Sequence, residues 1–439
     1  MRRKPRNLAI SFIDRAQTHF GGLYFFQEFI ALLQLRHRLA VSVKDERSRT
    51  RYSVPQMILA LLYPVVLGLT RLEAASFLRT NGIFQYLTGL PKFPNPSTLR
   101  RFLYRAPDHL RRQLSRLSDR LTVALLQQPR RRSRLILDLD STSLLAYGQQ
   151  EGARYVHNPR RRGVRSYEPL VCCEANSGLL WTAFLRPGGR AGADEVVPFL
   201  AHAFAMLPDS VREVRLRADA GFYSDDTMTW LETNKAQYAI VARLTAPLQN
   251  RITGLRYHSV SAHWAVAETQ YQATGWSQKR RIIAVRRRLA DRDPQPTLFV
   301  VGRYAFSAYV TNLDLSPERV WHFYNDRAAL ELVIKELKQN YGLGHIPTRR
   351  FNANSFYFEV LRLAFNLVVG FRTTCLPERW HRVTLGTIRS QLLHLPAVLA
   401  KPQGRPVLRF PSCSPARQDC LFILNSLKSI RRASLWEAF

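Results

Sequence analysis

Leu135-Ile-Leu-Asp-Leu-Asp140 is the stretch on which the fold turns. Its aliphatic density reads as a strand buried on both faces, and it ends on a carboxylate, where a buried strand emerges at a sheet edge. Before it, Pro129-Arg-Arg-Arg-Ser-Arg134 joins a helix breaker to a charge run and reads as a basic linker over 129–134. After it come strand patterns at Leu170–Glu174 and Leu179–Leu185 and a helix over Ala193–Met206. A strand at Val214–Asp219, a helix over Ser224–Asn234 and a strand at Tyr238–Ala242 complete the series.

Three strands, helix, strand, helix, strand is the order of a ribonuclease H-like fold, so the expected class is α/β with a mixed-sheet catalytic core over 135–244 and 313–375. Between its two parts, residues 245–312 are again strand-rich (Trp264–Ala273, Arg281–Val285, Leu298–Val301, Ala308–Val310) and read as a β-rich insertion. A helix is expected to run from Pro317 toward Tyr341, and Ser355–Thr374 reads as a core helix. The role of 376–439 is left open.

The chain has 439 residues, with 65 Lys and Arg against 32 Asp and Glu, a formal charge of +33. With 46% hydrophobic residues it can fill ordinary cores, which excludes a disordered basic tail, and the charge points to a polyanionic partner. The excess is uneven: residues 1–134 carry 25 basic and 7 acidic residues against 40 and 25 in the remaining 305. That basic third reads as helical over 1–128, with helices at Pro55–Leu69, Leu72–Arg79, from Pro96, and at Asp108–Gln128. A break is expected at Asn81-Gly82 and an N-cap at Ser97. Arg100, Arg101 and Arg105 on the helix opened by Pro96 suit a helix-turn-helix-like unit in a DNA major groove, against the plainer reading of solvated arginines.

The longest apolar run, Met57–Leu69, has 13 residues and contains Pro64, short of the roughly 18 needed to span a bilayer. Five cysteines without a CxxC pair indicate neither a disulfide framework nor a standard zinc cage. No membrane partner and a cytoplasmic, bacterial nucleoid-associated location are the expectations.

Asp140 and Asp219 end strands that, if parallel neighbours, share one crevice. Either could equally cap a turn. On the helix from Pro317, at about 100° per residue, Arg327, Glu331 and Lys338 fall within about 60° of Tyr324, beside an apolar face of Leu330, Val333, Ile334 and Leu337. A solvated stripe of ion pairs is the plainer alternative. Asp138 shares a strand face with Asp140 and competes for the first position. Asp194, Glu195, Asp225 and Asp226 sit at helix starts, where capping accounts for them.

The spacing Tyr324, Arg327, Glu331, Lys338 resembles the Y-(2)-R-(3)-E-(6)-K motif of bacterial insertion-sequence transposases with an Asp-Asp-Glu site. Asp140-Ser-Thr142 and Arg217-Ala-Asp219-Ala-Gly-Phe-Tyr223 resemble that group's first and second acidic motifs, and Ser141-Thr142 is why Asp140 is preferred to Asp138. The resemblance covers about 135–375 and implies a ribonuclease H-like core that cuts and joins DNA with divalent metal. It implies Asp140, Asp219 and Glu331 as catalytic and metal-binding residues. Phosphodiester cleavage must activate an oxygen nucleophile and neutralise charge on the phosphate and leaving oxygen, which two ions can do together. Carboxylates favour Mg²⁺, with Mn²⁺ as substitute. Arg327 and Lys338 would contact phosphate, Tyr324 the same backbone, and Arg160, Arg161, Arg162 and Arg165 would grip DNA beside the site. Trp264 and Trp276 suit core packing as well as base stacking.

The function expected is a DNA transposase that binds the terminal inverted repeats of its insertion sequence, cleaves the ends and joins them to target DNA, as a homodimer in the synaptic complex. The alternatives are a ribonuclease H-like nuclease without strand transfer and a domesticated DNA-binding protein.

Overall fold

The computed structural model describes residues 16–432 apart from 46–50, 91, 128–131, 156–162, 190–194 and 290–298. Part of the expected linker, the start of the helix expected at Ala193 and the arginines at 160–162 therefore lie outside the described residues.

The N-terminal region is helical: α1 (Leu23–Leu32), α2 (Leu35–Ser42), α3 (Val54–Val66), a 3₁₀ segment (Leu72–Arg79), α4 (Gly82–Thr88), α5 (Pro96–Arg105) and α6 (Asp108–Leu126). Local chemistry sets the boundaries. Ser53 and Gln56 form a reciprocal capping box at the start of α3, and Gly68, at φ +83°, lies just past its end. Asn81 accepts the Phe84 N–H at 2.9 Å, so the expected break is the start of α4. Ser97 is not the cap of α5; Asn95 is, with Pro96 at the first helical position, where its missing N–H costs no hydrogen bond.

Eight longer strands follow: β1 (Arg134–Ser141), β2 (Leu170–Glu174), β3 (Leu180–Phe184), β4 (Glu213–Ala218), β5 (Gln237–Val241), β6 (Trp264–Tyr271), β7 (Arg280–Arg288) and β8 (Tyr304–Thr311). Between them lie α7 (Val196–Ala205), α8 (Asp225–Thr233) and α9 (Ala246–Thr253). After them come α10 (Pro317–Asn325), α11 (Ala328–Asn340), α12 (Phe351–Cys375) and a C-terminal helix, Arg417–Arg432. One mixed sheet takes all eight in the order β6-β7-β8-β5-β4-β1-β2-β3, with short strands at His258–Ser259 and Phe299–Val301 bringing it to ten among the described residues. β1, β4 and β5 are parallel, and β2 is antiparallel to both β1 and β3. The strands of 245–312 are not a separate layer: β8 pairs with β5 through Tyr309↔Val241, so they prolong the core sheet.

The sheet is covered on both faces. On edge strand β3, Trp181 donates to the Ala203 carbonyl of α7 at 2.8 Å, while the backbone of the next residue round, Leu180, meets α12. There the Asn366 amide accepts from Leu180 N–H and donates to Leu180 C=O, at 2.8 and 2.9 Å, occupying an edge that would otherwise template another strand. Asn366 also donates to Thr122 of α6 at 2.7 Å, so α12, about 37 Å long, ties helical region to sheet. A second core under α10 packs Val320 and Trp321 on Ala239, Val266, Ile283 and Tyr309. The C-terminal segment returns to the beginning of the described chain, where Ala397–Ala400 pairs with Gln17–Thr18. No helix among the described residues is long and apolar enough to cross a membrane.

Candidate active site

Parallel register places the first two acidic residues. Leu139 pairs with Ala218, so the next residue on each strand, Asp140 and Asp219, leaves the same end of the sheet on neighbouring strands about 4.8 Å apart. Each is fixed by a local bond: Asp140 Oδ1 accepts the Ser141 N–H at 2.8 Å, and Asp219 Oδ1 accepts the Gly221 N–H at 2.9 Å. The Asp140 side chain is only 15% exposed. Burial pushes its carboxyl up to about 6, with the Arg327 guanidinium opposing and the Asp219 charge adding to the shift.

Asp138 has a different occupation. It is buried and held bidentately by Arg217, its register partner on β4, at 2.5 and 2.8 Å. Arg217 also donates to the Phe323 carbonyl at 2.7 Å, fastening the end of α10 to the sheet. Asp138 is thereby saturated by Arg217, whereas Asp140 lies at the strand end between Arg327 and Asp219.

The helix expected from Pro317 to Tyr341 is interrupted. α10 ends at Asn325 and α11 begins at Ala328; between them Arg327 N–H bonds the Tyr324 carbonyl and Leu330 N–H the Arg327 carbonyl, tight i→i−3 bonds. The cause is tertiary. Arg327 is buried and donates through Nε and Nη2 to the Leu139 carbonyl, at 3.2 and 2.7 Å, with Nη2 3.2 Å from Asp140 Oδ2. Its guanidinium thus engages the strand that carries Asp140. Tyr324 packs on Tyr309 with ring centroids 4.6 Å apart, and burial pushes its hydroxyl up to about 12. Burial lowers Lys338, while the charge of Asp140 acts the other way.

Leu330, Ile334 and Leu337 form the buried side of α11. Glu331 is exposed. The structure brings Asp140, Asp219, Tyr324 and Arg327 into mutual electrostatic contact, with Lys338 feeling the charge of Asp140. Among the described residues no three His, Cys, Asp or Glu side chains are grouped so as to hold an ion. As donors for a divalent cation the two aspartates fit: both are hard oxygen ligands, and the Asp219 charge, which adds to the upward push of burial on Asp140, is one that a bound cation would offset.

Away from the strand ends, α5 buries Leu99 and Leu103 and exposes Arg101 and Arg105, while Arg100 is paired with Glu73. Arg165 lies over the Tyr155 ring at 5.2 Å.

The family model described as transposase DDE domain group 1 matches residues 3–432. Among solved structures, the chain is similar to the piggyBac transposase synaptic complex with hairpin DNA, at 12% identity and TM-score 0.43 over 97% of this chain and 84% of that one. It is also similar to the Drosophila P element transposase strand transfer complex, at 12% identity and TM-score 0.23 over 46% and 40%. No curated protein matches the sequence.

Proposed function

The chain belongs to the transposase DDE domain group 1 family, and from that premise we propose that it binds the terminal inverted repeats of a bacterial insertion sequence, cleaves the ends and joins them to target DNA. The observation that carries this reading is the in-register pair Asp140 and Asp219 at the ends of two parallel strands. The order β3-β2-β1-β4-β5, with β2 alone reversed, supports a ribonuclease H-like core. The spacing of Tyr324, Arg327, Glu331 and Lys338 supports the Y-R-E-K group.

In this mechanism Asp140 and Asp219 would hold the divalent metal, Mg²⁺ or Mn²⁺, two ions in all, with Glu331 as the third carboxylate. The chemistry such ions would supply there is activation of water or a DNA 3′-hydroxyl and neutralisation of charge on the phosphate and leaving oxygen. Arg327 is a positioning residue: by gripping the Leu139 carbonyl and Asp140 it sets the direction of the Asp140 carboxylate. Lys338, on the same side of the helix, contacts a non-bridging phosphate oxygen. Residues 1–128 recognise the ends through Arg101 and Arg105, and Arg160, Arg161, Arg162 and Arg165 are proposed as further DNA contacts. A homodimer synapses two ends.

The test is to incubate the purified chain and Mg²⁺ with a labelled duplex made from the DNA flanking its gene. Nicking at a defined end, followed by joining to a second duplex, is expected. Asp140→Ala, Asp219→Ala and Glu331→Ala should each abolish cutting and keep binding; full cutting by any of them removes that residue from the site. Cutting without joining would leave a nuclease.

A further inference from the structure

We infer that one chain carries a continuous duplex-binding track from α5 to the catalytic strand ends, through residues other than Arg160, Arg161 and Arg162. This inference rests on the proposal that the partner is DNA.

The track is a series of direct contacts. Tyr104, at the end of α5, accepts the Arg349 N–H at 3.3 Å through its hydroxyl, and Arg350 lies over its ring at 5.6 Å. The Arg349 carbonyl accepts the Glu151 N–H at 2.8 Å, joining this segment to the base of a small sheet. That sheet is made of Leu144–Ala146, Arg154–Tyr155 and Arg165–Tyr167, and its first strand begins four residues after Asp140. Arg154, Tyr155, Arg349 and Arg350 are exposed, Tyr155 by 67%, with Arg165 stacked on its ring. The acid within the path, Glu151, turns its carboxylate to the Phe351 N–H at 3.1 Å, at the start of α12.

The underside of this small sheet is anchored while its charge faces out. Tyr167 is buried, donates to the Glu151 carbonyl at 2.7 Å and packs on Phe351. A basic surface with an exposed aromatic plane suits a phosphate backbone: arginines neutralise successive phosphates, and the exposed Tyr155 hydroxyl can bond a sugar or phosphate oxygen. The position of the track, between the recognition helix and Asp140, assigns it the segment of duplex between the bound repeat and the cleaved bond.

Binding of a fluorescein-labelled random-sequence duplex, measured by anisotropy over a salt series, tests this. Arg154→Gln, Arg349→Gln and Arg350→Gln should each reduce the steepness of log K against log[salt] by about 1, and the triple variant by about 3. Arg431→Gln, on the C-terminal helix where it pairs with Glu28, should leave the slope unchanged, and equal melting temperatures would establish that the variants fold. A wild type without salt-dependent binding would defeat the DNA reading itself. A wild type that binds while the triple variant keeps its slope would defeat the track alone, as would an equal loss in Arg431→Gln.

Discussion

At the junction of α6 and α12, Arg362 donates to Asp119 at 2.7 Å, to Glu359 at 3.0 Å and to the Ser115 carbonyl at 3.0 Å, with His202 of α7 3.2 Å from the other Asp119 oxygen. At the ends of β1 and β4 a second arginine, Arg327, divides itself between the Leu139 carbonyl and Asp140, while Asp219 faces Asp140 across the strand spacing. Both clusters gather two carboxylates and one guanidinium in a poorly solvated place. In the first, each acid is hydrogen-bonded to the cation. In the second, the cation is half spent on backbone, and burial, with the neighbouring Asp219 charge adding to it, drives one carboxyl up to about 6. The contrast separates a cluster that fastens two layers from one left with unmet demand for positive charge.

The largest effect that would break this contrast is at the second cluster. Asp140→Asn or Asp219→Asn should lower DNA cleavage by about 10³-fold or more, at least about 4 kcal/mol in the barrier, without lowering the melting temperature. A variant within tenfold of wild type in a single-turnover cleavage assay would return these carboxylates to the class of structural acids.

The first cluster should respond in the opposite way. Arg362→Ala leaves Asp119 and Glu359 buried without their cation and should cost about 3–5 kcal/mol, read as a fall in melting temperature or urea midpoint. Combining it with Asp119→Leu and Glu359→Leu should recover most of that loss, because paired buried charges exchange for apolar groups at little net cost. A single substitution costing under about 1 kcal/mol would mean that water reaches the junction.

The difference between the clusters also marks what the sequence made legible. Asp140 and Asp219 could be read because each closes an apolar strand, and adjacency of parallel strands follows from the order of elements. Asp138 could not be separated from Asp140 by alternation alone, since the distinction lies in Arg217 across the ladder. The break before α11 carries no proline or glycine to announce it; Arg327 is drawn to the Leu139 carbonyl, a contact 188 residues away in sequence. Likewise the strands of 245–312 could be read as strands, but their register with β5 is a long-range pairing that no local pattern encodes. The Arg362 junction was also hidden, because Glu359 and Arg362 in an apolar helix read as interruptions until α6 supplies Asp119.

The smallest expected effect sharpens the comparison by titration. The Asp140 carboxyl sits at about 6 in the folded chain against an ordinary 3.8, so the folded state binds its proton more tightly than the unfolded state. The associated stability is fully present below pH 3.8, is lost as pH rises toward about 6, and does not change further above that. In metal-free buffer the stability of wild type relative to Asp140→Asn should therefore fall by about 2–3 kcal/mol between pH 4 and 7, and most of the fall should lie below about pH 6. Taking the difference removes histidines and other groups common to both proteins. Mg²⁺ at pH 7 should recover stability in wild type and much less in Asp140→Asn, because the ion binds the ionised pair. A flat difference across this range would show that Arg327 already compensates the Asp140 charge, which would make the second cluster as saturated as the first.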